Sequence, residues 1–379
     1  MIKDGHISPN QLIAIFFILV MAKEMDPAIL VLIHWGHSAA DLLLMISQLG
    51  IIALMTILLP LFKDPSKNLI DHIAETFGPI LGTIFGMMLF IPLLMDVSMS
   101  VTFDSEQIRS VFLPTTPVAV TLFVCILAMI IPVYYGVEVL GRANLIVFGM
   151  LFGILIVWDM LTLKSCSIHN LPPILGPGIP TLLQSGVLHV GFLGEFIDYL
   201  MLRPYVRSYT SYRRSFYIVA FATLIIGMIR LAIVQMKFPY PTDDYLFFPF
   251  MEAVKLIYFG RYIQHVEAVY AVIWLVVALA RLGLMMYLLA LMAASIARAH
   301  NYRRFAPSIA ALIFYGALIP PTLSDAIDFK DVVLSQKMQP VYGGVVVLLA
   351  LVKYFQLFKQ WRAKKKTKVP STSHAKPDY

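Results

Sequence analysis

Residues 19–33 read LVMAKEMDPAILVLI, an apolar run interrupted by Lys23, Glu24, Asp26 and Pro27. The flanks are membrane-like: thirteen Leu, Ile, Phe or Val residues lie between positions 11 and 33. On the insertion scale those residues return roughly 4–8 kcal/mol, whereas three central charges cost about 8–10. The segment barely inserts alone, so its charges must face a bundle interior or a water-filled cavity. Pro27 withholds a backbone donor from the Lys23 carbonyl and pushes Asp26 out of the helical region. Asp26 followed by Pro27 is also a good helix start, an N-cap with proline at the first helical position. The stretch therefore reads as two half-helices, about 11–22 and 27–35, meeting near the midplane. The alternative is a Pro-kinked helix whose charges pair with neighbours for structure alone.

The composition sets the same scene. The 379 residues are 59% hydrophobic and 13% charged, with a mean hydropathy of +0.81; soluble domains carry about 25% charged residues. This is the balance of a polytopic membrane protein. Its two cysteines, Cys125 and Cys166, offer neither a disulfide framework nor metal-ligand spacing. The first apolar run is span-length and lacks a small-residue cleavage site, so it is kept as a helix rather than a cleaved signal. At about 20 residues per crossing, ten spans are expected, at 11–33, 38–62, 80–103, 117–135, 143–163, 179–203, 213–235, 263–297, 306–323 and 340–360. Residues 1–10 form an N-terminal segment, 11–360 the transmembrane domain, and 361–379 a basic, disordered tail. KNLIDHIAETFG (67–78) alternates at helical spacing and predicts an interfacial helix. YLFFPFMEAVKLIYFG (245–260) predicts a short helix capping the outer mouth.

Basic residues fix the orientation. With the N-terminus inside, 18 Lys and Arg fall on the cytoplasmic side and 7 on the other, among them Lys330 and Lys337. The positive-inside rule places both termini in the cytoplasm. The lysine-rich tail reads as a solvated segment on a membrane face, not as a nucleic-acid site.

Five spans after the first interruption comes a second. In LLQSGVLHVGFLGEF (182–196), Gly186, Gly191 and Gly194 flank His189 and precede Glu195. Glycines there permit unwound backbone with free amides and carbonyls; taken alone they serve close helix packing equally well. Two interrupted helices at corresponding positions of two five-span halves point to a central site in an inverted-repeat transporter fold. Arg281, near the middle of the eighth span, keeps its proton and needs an anionic partner. Glu24, Asp26, Asp96 and Glu195 are the available acids, and a structural or a ligand-binding role fits Arg281 equally. Arg230, Asp159 and Glu267, near span ends, are expected to snorkel to the interface. His34 and His37 lack further ligands for a metal, GPGIP (176–180) is a turn before the sixth span, and no catalytic or phosphate-binding motif is present. Neither an enzyme nor a cofactor is expected.

ISPNQL, NLIDHIAETFGPILGTIFG, FLPTTP, GVEVLGRANLIVF, LPPILGPGIP and RYIQHVEAVYAVIWLVVALARLGLMMY follow one another between residues 7 and 287. In that order they resemble the B subunit of the nutrient germinant receptors of endospore-forming bacteria, the GerAB family of the amino acid–polyamine–organocation transporter superfamily. The resemblance covers residues 7 to 360. It implies a leucine-transporter-type fold, five-plus-five inverted repeats with helices 1 and 6 broken, and a pocket between helices 1, 3, 6 and 8. Carried over, the pocket lining is Lys23, Glu24 and Asp26, then Asp96, then His189, Gly191, Gly194 and Glu195, and finally Arg281, where relatives often have lysine. It further implies A and C partner subunits in the spore inner membrane and a small nutrient, an amino acid in the first instance, as ligand. One departure stands out: MAKEMDP (21–27) has no glycine, where transporting relatives offer bare amides to a carboxylate. Either Lys23 replaces those amides, or the carboxylates hold the ligand's amine, or the site takes no amino acid. A proton-coupled amino-acid permease using Glu24, Asp26 or Glu195 is the competing function, and a membrane scaffold for its partners the third.

Overall fold

The structure, a computed structural model, describes residues 4–25, 27–171, 173–257 and 266–367. These residues make ten helical passes. Seven stretches are long and apolar enough to cross a membrane, and the shorter apolar helices Pro9–Met21 and Ile179–Leu188 belong to the two passes that are interrupted.

The first pass, α1, opens at Pro9–Met21 with a reciprocal cap: Ser8 Oγ accepts from the Gln11 amide while the Gln11 side chain accepts from the Ser8 amide. It tightens to 3-10 geometry at Ala22–Met25 and Pro27–Ile29, then resumes as Leu30–Gly36. After a turn at His37 comes α2, Ala40–Leu58. The helix Leu69–Val111 is split by Gly78 at φ 84°, ψ 179°, conformations that glycine adopts without steric cost. That split leaves a leading helix at 69–77, where the amphipathic pattern predicted one, and α3 at 79–111. Then follow α4 (Val118–Tyr135), α5 (Val137–Leu163), the broken α6 (179–205), α7 (Tyr209–Lys237), α8 (Val266–Ile296) and α9 (Ala306–Ala317). The last pass, α10, spans 323–367.

The two halves match. Each starts with a broken helix and places a short helix before its third member, 69–77 in the first half and Pro249–Lys255 in the second. Since successive passes alternate in direction, these short helices lie at opposite ends of the bundle. Burial separates inner from outer passes: 67% of the apolar window of α8 is buried inside the protein, against 33% for α4 and for α5. Helix α8 is therefore the internal post, packed against α3, α4, α5 and α1, while α4 and α5 carry lipid-facing side chains such as Phe123, Val124 and Ile146.

Three sequence expectations change. The tenth span begins at 323 rather than 340, because Asp331, Ser335, Gln336 and Lys330 are helical and paired inside the protein instead of looped out. Lys330, counted above among the loop charges, is 1% exposed. Arg230 does not snorkel: it is 2% exposed, its guanidinium 3.5 Å from Asp159 and 4.1 Å from the Phe250 ring centroid. The helix at Pro249–Lys255 supplies that ring and so buries the charge from above.

Candidate functional site

The breaks in α1 and α6 face one another across the middle of the bundle. The 3-10 turn of α1 holds Lys23, 2% exposed, against Glu195, the first residue of the short turn Glu195–Asp198 in α6. Lys23 Nζ lies 2.9 Å from Glu195 Oε1 and 3.1 Å from Oε2. From α8, Arg281 Nη2 reaches the same Oε1 at 3.5 Å. Glu195 thus joins three helices and both halves. Among the described residues, Glu195 is an acid that the structure brings to Arg281.

A second pair lies beside the first. Lys330 Nζ is 2.8 Å from Asp96 Oδ1, tying α10 to α3, with the Phe103 ring 5.6 Å from the ammonium. Lys330 stands in a π-helical stretch, Phe329–Met338, where Ser335 Oγ donates to the Lys330 carbonyl at 3.0 Å. Such wide turns cluster at functional sites in helices because they re-aim side chains. A third acid, Asp198, accepts a hydrogen bond from the Tyr342 hydroxyl of α10. Between these groups is a small cavity lined by Asp96, Gly194, Glu195, Asp198, Gln339 and Tyr342, with about 10 Å³ free, room for about one water.

His189 lies elsewhere. Its Nδ1 is 2.7 Å from the Ser185 carbonyl, which can only accept, so Nδ1 carries a proton. Nε2 is 3.4 Å from Asp331 Oδ1, and Asp331 Oδ2 accepts from Trp35 Nε1 at 2.9 Å. The cluster closes the bundle where the second half of α1, the first half of α6 and the start of α10 converge. It covers the centre rather than lining the cavity. The glycines of α6 divide too. A Cβ on Gly186 would stand 2.4 Å from Ile46 Cγ2, so that glycine serves packing against α2. One on Gly194 would stand 3.2 Å from Gln339 Oε1, so that glycine keeps the cavity open. Gly191 belongs to the 3-10 turn His189–Leu193. Asp26 and the side chain of Glu24 lie outside the described residues.

Sequence reading overlooked Asp198, Asp331, Lys330, Gln339 and Tyr342. Asp198 had a signal, being three residues after Glu195 and so on the same helical face. The α10 residues had a weaker one: between Leu323 and Gln339 the chain has no glycine or proline, which is unusual for a loop of that length.

The same centre can be set beside known proteins. A family model described as "Spore germination protein" matches residues 8–326. YfkT of Bacillus subtilis (strain 168), a protein named for spore germination, is 25% identical over 230 residues, 60% of this chain and 62% of that protein. The match thus spans somewhat less than two thirds of that relative. Among solved structures, MhsT in complex with L-phenylalanine superposes with a TM-score of 0.64 at 14% identity, over 91% of this chain and 89% of that one. Mhp1, a nucleobase-cation-symport-1 family transporter with bromovinylhydantoin bound, gives 0.63 at 13%, over 96% and 94%. A manganese transporter of Eremococcus coleocola gives 0.58 at 14%, over 91% and 77%. The fold is the leucine-transporter-type inverted repeat, with broken helices 1 and 6 at its centre.

Proposed function

Because the chain belongs to the spore germination protein family, we propose that it is the membrane B subunit of a nutrient germinant receptor, sensing a small nutrient between its two halves. The observation that carries this reading is the Lys23–Glu195–Arg281 hub, which joins α1, α6 and α8 at the helix breaks. An amino acid brings a carboxylate and an ammonium, the two charges this hub already pairs internally. A zwitterion can take over both partners, its carboxylate on Lys23 and Arg281 and its ammonium on Glu195, without leaving a buried charge bare. The hub as it stands is closed by its own ion pairs, and the cavity beside it has about 10 Å³ free against the roughly 300 Å³ or more of a small-molecule pocket. Ligand entry then requires the halves to part, and a ligand that favours the parted state shifts the population toward it. A and C partner subunits in the spore inner membrane would read that shift. Nothing in this scheme needs a completed transport cycle, unlike the alternative, a proton-coupled amino-acid permease.

Spores lacking the gene are expected to lose germination on one nutrient class, in a panel of amino acids, nucleosides and sugars, while germinating normally on the others. The isolated subunit in liposomes should not accumulate labelled amino acids, with or without a proton gradient. Robust gradient-driven uptake would replace the receptor by the permease.

Orientation follows from the basic residues Arg142, Arg207, Arg213, Arg214, Arg303 and Arg304 at the end of the bundle that carries the N-terminus. In a Cys166→Ser background, a cysteine at Tyr245, 80% exposed, should react with an impermeant thiol reagent applied outside intact cells. One at His300, exposed at the other end, should not. The reverse pattern would overturn the cytoplasmic placement of the termini.

A further inference from the structure

We infer that the cavity between α3, α6 and α10 is a binding site for one small inorganic monovalent cation, held by Asp198 and Gln339. The inference stands apart from the nutrient-receptor reading, since it concerns a different set of residues and a ligand of different size.

Three carboxyls face the cavity, and two are already matched. Asp96 has Lys330 at 2.8 Å, and Glu195 has Lys23 and Arg281. Asp198, 2% exposed, has no lysine or arginine within ion-pair distance among the described residues; its hydrogen bond comes from the neutral Tyr342 hydroxyl. A buried carboxylate in a membrane interior calls for a counter-charge. The second, independent observation is Gln339. It is 8% exposed, lines the same cavity, and its Oε1 is buried without any hydrogen-bond donor. Most buried side-chain polar atoms of folded proteins have a partner, and of the buried amide oxygens without one here, that of Gln339 is the one whose residue lines this cavity. An unspent neutral oxygen lining the same cavity as a carboxyl with no lysine or arginine partner among the described residues is the donor set of an alkali or ammonium ion, which asks for oxygen ligands and supplies none in return. The Tyr342 hydroxyl oxygen, donating its proton to Asp198, keeps its lone pairs for the same ion.

Size and backbone agree. About 10 Å³ holds one water-sized species and excludes any organic nutrient. Gly194 keeps that space: a Cβ there would meet Gln339 Oε1 at 3.2 Å and Nε2 at 3.3 Å. One uncompensated carboxyl suits a single positive charge, and a divalent ion would leave an excess. The ligands come from α6 and α10, so occupancy would brace the broken helix against the last pass.

The test is thermal melting of the purified full-length chain in nanodiscs, titrated with sodium, potassium or ammonium chloride. N-methyl-D-glucamine chloride holds ionic strength constant. A ligand bound only by the native state raises the melting temperature along a saturating curve. The expected result is such a rise with at least one of the three small ions and none with N-methyl-D-glucamine. The ion with the lowest half-saturating concentration identifies the occupant. Asp198→Asn and Gln339→Leu should each raise that concentration roughly tenfold or more, about 1.4 kcal/mol in binding. Gln339→Leu decides the matter should Asp198→Asn fail to accumulate. Equal responses to all salts, or unchanged titrations in Gln339→Leu, would overturn the site. Either result leaves the nutrient panel untouched.

Discussion

Glu195→Gln is expected to be the most damaging single substitution in the bundle, reducing membrane accumulation to a small fraction of wild type. Glu195 is 3% exposed and faces two cations, Lys23 at 2.9 Å and Arg281 at 3.5 Å. Glutamine keeps the shape and removes the charge, so Lys23 and Arg281 both lose this carboxylate. Breaking a buried pair costs about 3–5 kcal/mol because the partner stays desolvated, and here one carboxylate serves two cations. Lys23→Met should be milder, since Arg281 still neutralises Glu195. Arg281→Lys should be milder again, keeping the charge and losing only the planar fork. Immunoblots of membranes and melting curves in detergent would rank the three. A Glu195→Gln protein that melts within a degree of wild type would remove the hub from the structural account. If Lys23 also meets the nutrient, Lys23→Met should shift the half-maximal nutrient concentration while the protein still accumulates. Normal sensitivity at normal levels would favour a purely structural kink in α1.

The interruption of α1 was legible in sequence because it violates the cost of inserting charge: Lys23 and Pro27 stand where lipid-facing residues belong. Glu195 was legible for the same reason, and so was the amphipathic helix at 69–77, whose period shows without knowledge of its partners. The start of α10 was not. Hydropathy reads SDAIDFKDVVLSQKMQ as a loop because it scores each residue against water or lipid. The true environment of Lys330 is Asp96, 234 residues earlier, and that of Asp331 is Trp35 and His189. Pairing over such distances cancels the charge that the hydropathy scale counts. Arg230 misled in the same way: its position near a helix end suggested water, but Asp159 and the Phe250 ring enclose it. Errors of this type fall where the bundle has bought burial of charge with a partner from another helix. Those places are also the candidate centre and its cover.

The Lys330–Asp96 pair is the sharper test of the closed centre. Asp96→Leu strands an ammonium that is 1% exposed, and Lys330→Met strands a carboxyl that is 5% exposed. Each should destabilise by about 3–5 kcal/mol. The double substitution Asp96→Leu with Lys330→Met removes both charges and fills their space with apolar groups of similar volume, a change that is often neutral or stabilising for a buried pair. The double variant should therefore accumulate far better than either single one, a coupling well beyond the roughly 0.3–0.5 kcal/mol scatter of independent sites. Its function need not recover with its stability. The pair ties α3 in the first half to the π-helical stretch of α10 in the second, and a grease contact there holds the halves without a preferred partner for an incoming charge. Under the receptor reading, the restored double variant should respond to nutrient at an altered threshold. Additive losses in the double variant would show that Lys330 and Asp96 act independently, and the latch between α3 and α10 would have to be abandoned.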